Sequence, residues 1–163
     1  MTKLRTIDAT FLTEAPVRVT VSAVVDAPVA DVFKAVATDP TGWADWCPGF
    51  SAASRWTSAP PYGVGSQRSM RAFGTTFDET ILAWDENRRW AFRVDETGIP
   101  TLRAFAEEWR FDPVGPAQTR LTWTMAADAG VPAFWLRGCL RAQMSVMLRI
   151  AARRIGRLVH TRA

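Results

Sequence analysis

The chain has 163 residues and a formal net charge of +4, with eight Trp and nine Phe but only one His and two Cys. That length suits one domain that buries its own core without metal or disulfide support. Cys47 and Cys139 are too far apart for a CxxC metal or redox motif, and a lone His160 near the C-terminus leaves Ser-His, Cys-His and zinc chemistry without partners.

The opening MTKLRTIDATFLTEAP holds no apolar run of signal-peptide length, and no stretch elsewhere is apolar enough to span a bilayer. A cytoplasmic protein with reduced thiols and no stable membrane insertion is expected. Charge is uneven: residues 137–163 carry seven Arg and no acid, which leaves thirteen basic against sixteen acidic residues before them. Such a segment suits an anionic surface. Eighteen of the twenty basic residues are Arg chain-wide, however, so a solvated arginine face is the simpler reading and nucleic acid is not an expected partner.

Residues 1–16 read as an N-terminal extension to a single domain over 17–160. From Val17 to Asp26 the alternation of Val17, Val19, Val21, Ala23 and Val25 predicts a half-buried strand. Pro28 then starts a short helix to Ala37, with Val29, Val32, Phe33 and Val36 as its apolar stripe. A second helical turn, Thr41 to Trp46, ends at the turn Cys47-Pro48-Gly49. Six strands follow at about Phe50–Thr57, Gly65–Phe73, Thr76–Asp85, Arg89–Glu96, Thr101–Asp112 and Gln118–Asp128, and their short connections predict an antiparallel meander. The Gly63-Val64-Gly65 pair lacks the third glycine and following helix of a dinucleotide fingerprint. Gly130-Val131-Pro132 opens a long last helix, where Leu136, Leu140, Met144, Met147, Ala151, Ile155 and Leu158 form an apolar stripe and Arg154 sits at its edge.

Four segments resemble the START-like (SRPBCC) superfamily, and its polyketide cyclase/dehydrase branch most. These are Val24 to Phe33 (VVDAPVADVF), Asp39 to Pro48 (DPTGWADWCP), the glycine turn Gly63-Val64-Gly65-Ser66, and Gln118-Thr119-Arg120-Leu121. The resemblance runs from about Val17 to Val159. It implies an α+β helix-grip fold: a curved seven-stranded antiparallel sheet around a long C-terminal helix, two short helices as a wedge, and a cavity between. Members of that superfamily bind lipids, sterols, aromatic polyketides or hormones, and some catalyse cyclisation. They share no universal catalytic signature, so none is carried over.

Alternation places Phe77, Glu79, Ile81 and Ala83 on one face of one strand and Phe105, Glu107, Trp109 and Phe111 on one face of another. Both faces should point inward, which brings Glu79 and Glu107 into the cavity as candidate proton carriers with raised pKa. The competing expectation is a structural ion pair with Arg68, Arg71, Arg93 or Arg154. Asp78 and Glu108 should then face solvent. Candidate ligand-binding residues are Trp43, Trp46, Tyr62, Phe77, Trp90, Phe105, Trp109, Trp123, Leu140, Met144 and Met147. For Tyr62 a surface turn is the alternative, and for Trp43 and Trp46 plain core packing. No metal site is expected.

The expected function is binding of a small hydrophobic or aromatic ligand between sheet and helix, without cofactor, by a monomer or homodimer. The alternatives are a cyclase or dehydratase that uses Glu79 or Glu107 as general acid or base, and association of the arginine-rich helix with an anionic surface.

Overall fold

The computed structural model describes residues 1–130 and 132–162, so Val131, in the predicted helix opening, lies outside it. In chain order the elements are β1 (Thr2–Lys3), α1 (Phe11–Glu14), β2 (Val17–Val25), α2 (Val29–Phe33), α3 (Trp43–Trp46), β3 (Arg55–Trp56), β4 (Gln67–Ala72), β5 (Thr75–Asp85), β6 (Arg89–Thr97), β7 (Leu102–Gly115), β8 (Gln118–Ala129) and α4 (Ala133–Arg162). Seven strands run β2-β8-β7-β6-β5-β4-β3, all antiparallel, and β1 adds an eighth by pairing with β6. The curved sheet, the long final helix and the two-helix wedge are as the sequence implies.

Three local departures have physical causes. The strand expected from Phe50 shrinks to Arg55–Trp56. Ser54 folds back instead, its N–H and its hydroxyl both donating to the Ser51 carbonyl, and that local bonding competes with the ladder. Helix α2 widens at its end into a π-turn over Lys34–Thr38. The carbonyls of Val36 and Thr38 there accept the indole N–H groups of Trp43 (2.9 Å) and Trp56 (3.0 Å), which binds the wedge to its neighbours. In β5, Ile81 pairs with Phe92 but Ala83 with Ala91, so Leu82 is an extra residue in a bulge. Ala83, expected inward, therefore faces the convex side, and Trp84 turns in to meet Phe33.

The convex side has its own cover. Phe11 and Leu12 of α1 sit on Ala83, Ala91, Ala104, Ala106 and Ala126, drawn from β5, β6, β7 and β8. The N-terminal segment reaches them through backbone bonds from Leu4 to Asp95 and from Arg5 to Arg103, each 2.8 Å.

On the concave side α4 is buried from Met144 onward, at Met144, Met147, Leu148, Ala151, Ala152 and Ile155. Leu148 and Ala152 widen the predicted stripe. Arg154 is exposed and joins no ion pair among the described residues. Gly156 allows close approach to β2, since a Cβ there would lie 3.4 Å from the Asp26 carbonyl oxygen.

Candidate functional site

Ahead of Met144 the helix draws away from the core, and a cavity of about 390 Å³ lies between it and the sheet. Strand register sets its polar groups. Arg68 on β4 is opposite Glu79 on β5, and Glu79 is opposite Val94 on β6; Phe92, two residues away on β6, is opposite Glu107 on β7. The two carboxyls thus enter the cavity from strands separated by one neighbour, at 5% and 7% exposure.

Arg68 is 1% exposed and donates from Nε to Oε2 of Glu79 at 2.6 Å. Its guanidinium carbon lies 5.0, 4.4 and 4.9 Å from the ring centres of Trp43, Trp90 and Phe92, positions in which the ring faces attract a cation. Both terminal nitrogens, Nη1 and Nη2, are buried without a hydrogen-bond partner among the described residues. Burial pulls the Arg68 pKa down, with Glu79 opposing; burial pushes Glu79 up to about 7, with Arg68 opposing.

Glu107 is held differently. Its Oε2 accepts the indole N–H of Trp123 at 2.9 Å and of Trp109 at 3.3 Å, while Oε1 takes no hydrogen bond from the described residues. Burial, then the charge of Glu79, push its pKa up to about 8, against the pull of the two indoles and Arg68. Near neutral pH this carboxyl is mostly protonated and can donate to a bound acceptor.

Of the sequence-predicted residues, Trp43, Phe77, Phe105, Trp123, Leu140, Met144 and Met147 line the cavity with the two glutamates. Trp90 and Trp109 lie behind it, one against Arg68 and the other on Glu107. Trp46 lines a separate groove with Ile155 and Leu158 on the far side of the wedge. Tyr62 stacks on Trp56, ring centres 4.2 Å apart, away from the cavity. Glu108 faces the convex side but is not open to solvent as expected, because Arg89 (2.6 Å) and Arg110 (2.7 Å) enclose it. Burial alone would raise its pKa, yet the hydrogen bonds from those arginines hold it below the ordinary carboxylate value. Asp78 is half-buried and accepts from Ser69 Oγ at 2.6 Å. Cys47 is buried, its thiol pKa driven up by burial, while Cys139 and His160 are exposed. Among the described residues no cluster of three His, Cys, Asp or Glu is placed to hold a metal ion.

Several lining residues escaped the sequence reading. Met125 is opposite Glu107 on β8 and two residues from Trp123, so the alternation already on that strand reaches it. Phe73 and Ile99 sit on loop tips, where no period points to them.

A profile of the family described as polyketide cyclase / dehydrase and lipid transport matches residues 16–159. An uncharacterized protein of Mycobacterium tuberculosis is 34% identical over 129 residues, covering 78% of this chain and 75% of its own. Among solved structures, the aromatase/cyclase ZhuI of Streptomyces sp. R1128 matches 90% of this chain and 95% of its own, with a TM-score of 0.68 and 18% identity. A START superfamily protein of Mycobacterium smegmatis matches 82% of this chain and 96% of its own, with a TM-score of 0.64 and 14% identity. The di-domain aromatase/cyclase BexL of the BE-7585A pathway matches with a TM-score of 0.71 and 16% identity over 85% of this chain, which spans about half (46%) of that protein's length. At these identities the structural likenesses establish the fold alone.

Proposed function

Because the chain belongs to the polyketide cyclase/dehydrase and lipid transport family, we propose that it binds a small hydrophobic or aromatic molecule carrying an oxygen acceptor, such as a carbonyl, phenol or carboxylate. The observation that carries this reading is the pair of unpartnered terminal nitrogens on a buried arginine at a mostly apolar cavity. Buried donors without acceptors are costly. A ligand oxygen that reaches Nη1 or Nη2 would satisfy them while its apolar body lies against Phe77, Phe105, Met144 and Met147.

The direct test is mass spectrometry of small molecules released on denaturing the purified protein, against an unrelated-protein control. An oxygen-bearing hydrophobic compound at near-stoichiometric yield is expected. A protein that carries none, and whose melting temperature is unmoved by a panel of hydrophobic ketones, phenols and carboxylates, would refute the reading.

One observation favours a second reading, that of a cyclase or dehydratase. A carboxyl with a pKa near 8 and one free oxygen can protonate a ligand carbonyl and then recover a proton from an adjacent carbon or hydroxyl. Glu107→Gln separates the two: a binding protein keeps its ligand and shows no turnover in either form, whereas an enzyme keeps binding and loses turnover.

A further inference from the structure

The first turns of α4 expose Phe134 and Trp135 to 80% and 71%, their ring centres 5.8 Å apart. Such side chains ordinarily bury about 150–250 Å² each, and a contiguous exposed apolar patch marks an interaction surface. The next residues of the helix, Leu136 and Leu140, line the cavity. Two loop tips that line the same cavity, Phe73 and Ile99, are also exposed, to 56% and 36%. Leu136 and Leu140, Phe73 and Ile99 thus bring three chain segments to one cavity, and Phe134 and Trp135 stand on the same end of α4, outside its lining.

Charge accompanies them. At about 100° per residue Phe134, Arg137 and Arg141 share one side of α4, and all three are exposed. Residues 133–163 contain no acid. The nearest acid before them, Asp128, is paired with Arg5. Arginines attract anionic headgroups, and Trp favours the headgroup level of a bilayer. A second copy of the chain on this face would set like-charged arginines against each other. A nucleic acid would leave Ile99, which cannot stack on bases, without a partner. No described helix is long and apolar enough to cross a membrane, so contact would be peripheral.

We propose that the rim formed by Phe134, Trp135, Phe73 and Ile99, with Arg137 and Arg141 beside it, docks on the surface of an anionic phospholipid bilayer. The aromatic tips enter the headgroup layer, and the cavity mouth is set against the membrane. The proposal shares this mouth with the ligand reading above, but vesicle binding is measured without a cavity ligand, so each can fail while the other stands.

The test is sedimentation of the full chain with sucrose-loaded vesicles of phosphatidylcholine, with and without phosphatidylglycerol, at low and raised salt. The protein is expected to pellet with the anionic vesicles only, and less as salt rises. Arg137→Gln with Arg141→Gln should lower partitioning about tenfold to thirtyfold, and Phe134→Ser with Trp135→Ser about tenfold or more. Unchanged melting temperatures confirm that these exposed positions leave the fold intact. The proposal is overturned if wild-type protein ignores anionic vesicles, or if the variants pellet as it does. It is equally overturned if a duplex oligonucleotide binds as tightly regardless of Phe134 and Trp135, or if the Phe134/Trp135 change merely splits a dimer.

Discussion

Trp109 and Trp123 stack with ring centres 4.9 Å apart and 11° between planes, and both direct their indole N–H to one oxygen of Glu107. The carboxyl is thereby oriented, one oxygen held against the sheet and the other left to the cavity. The indoles favour the charged carboxylate while burial favours the neutral acid, so removing a donor has a pH-dependent cost.

Trp123→Phe keeps a ring in the stack and removes the 2.9 Å donor. The loss in stability should be about 1 kcal/mol larger near pH 9, where Glu107 is mostly charged, than near pH 5, where it is neutral. Urea unfolding at the two pH values measures this, and equal losses would mean that the indole does not stabilise the carboxylate.

Glu107 also shapes stability across pH. Its folded pKa is raised from the ordinary 4.5 to about 8, so between these values the folded state holds more protons than the unfolded one. Stability must then fall as pH rises through that window, with Glu79 acting in the same direction. Glu107→Gln should flatten the slope and be the more stable protein above about pH 8, by about 1–3 kcal/mol. Parallel pH–stability curves for the two proteins would contradict this.

Breaking the buried ion pair from one side should be severe. Arg68→Met leaves Glu79 without its 2.6 Å partner and should cost about 3–5 kcal/mol at neutral pH. Adding Glu79→Gln removes the cost of burying or protonating that carboxyl and should recover a large part of that loss. A double variant no better than the single one would show that the rings around Arg68, not its charge pairing, carry the effect.

Phe73 occupies the hairpin turn between β4 and β5 with φ +53°, followed by Gly74 at φ +75°, a left-handed conformation that disfavours a bulky residue. Phe73→Asn should leave stability unchanged or raise it by up to about 1 kcal/mol, while speeding release of an apolar fluorescent probe from the cavity several-fold. Unchanged release would show that this ring does not guard the mouth.

What the sequence revealed depended on period. The alternating face of β7 carries Phe105, Glu107, Trp109 and Phe111 inward without interruption, so that side of the cavity was legible. On β5 the same logic held for Phe77 and Glu79 and failed at Ala83, because a one-residue bulge reverses every later side chain and leaves no compositional mark. Inward arginines such as Arg68, Arg71, Arg93 or Arg154 are equal candidates as partners of the two glutamates from the sequence, and only the ladder between β4 and β5 singles out Arg68 for Glu79. Its unpartnered nitrogens, and the two indoles that share Glu107, depend on distances between strands and had no signal in the chain.

The five alanines beneath α1 give the outer wall of the sheet almost no thickness of its own. Phe11 and Leu12 are its shingle, laid over four strands at once and fastened by the residues just before them. A truncation that strips this shingle would bare a flat greasy strip remote from the cavity. Its first symptom should be clumping in the tube, and a ligand assay on such a shortened protein would report poor behaviour in solution rather than anything about the pocket.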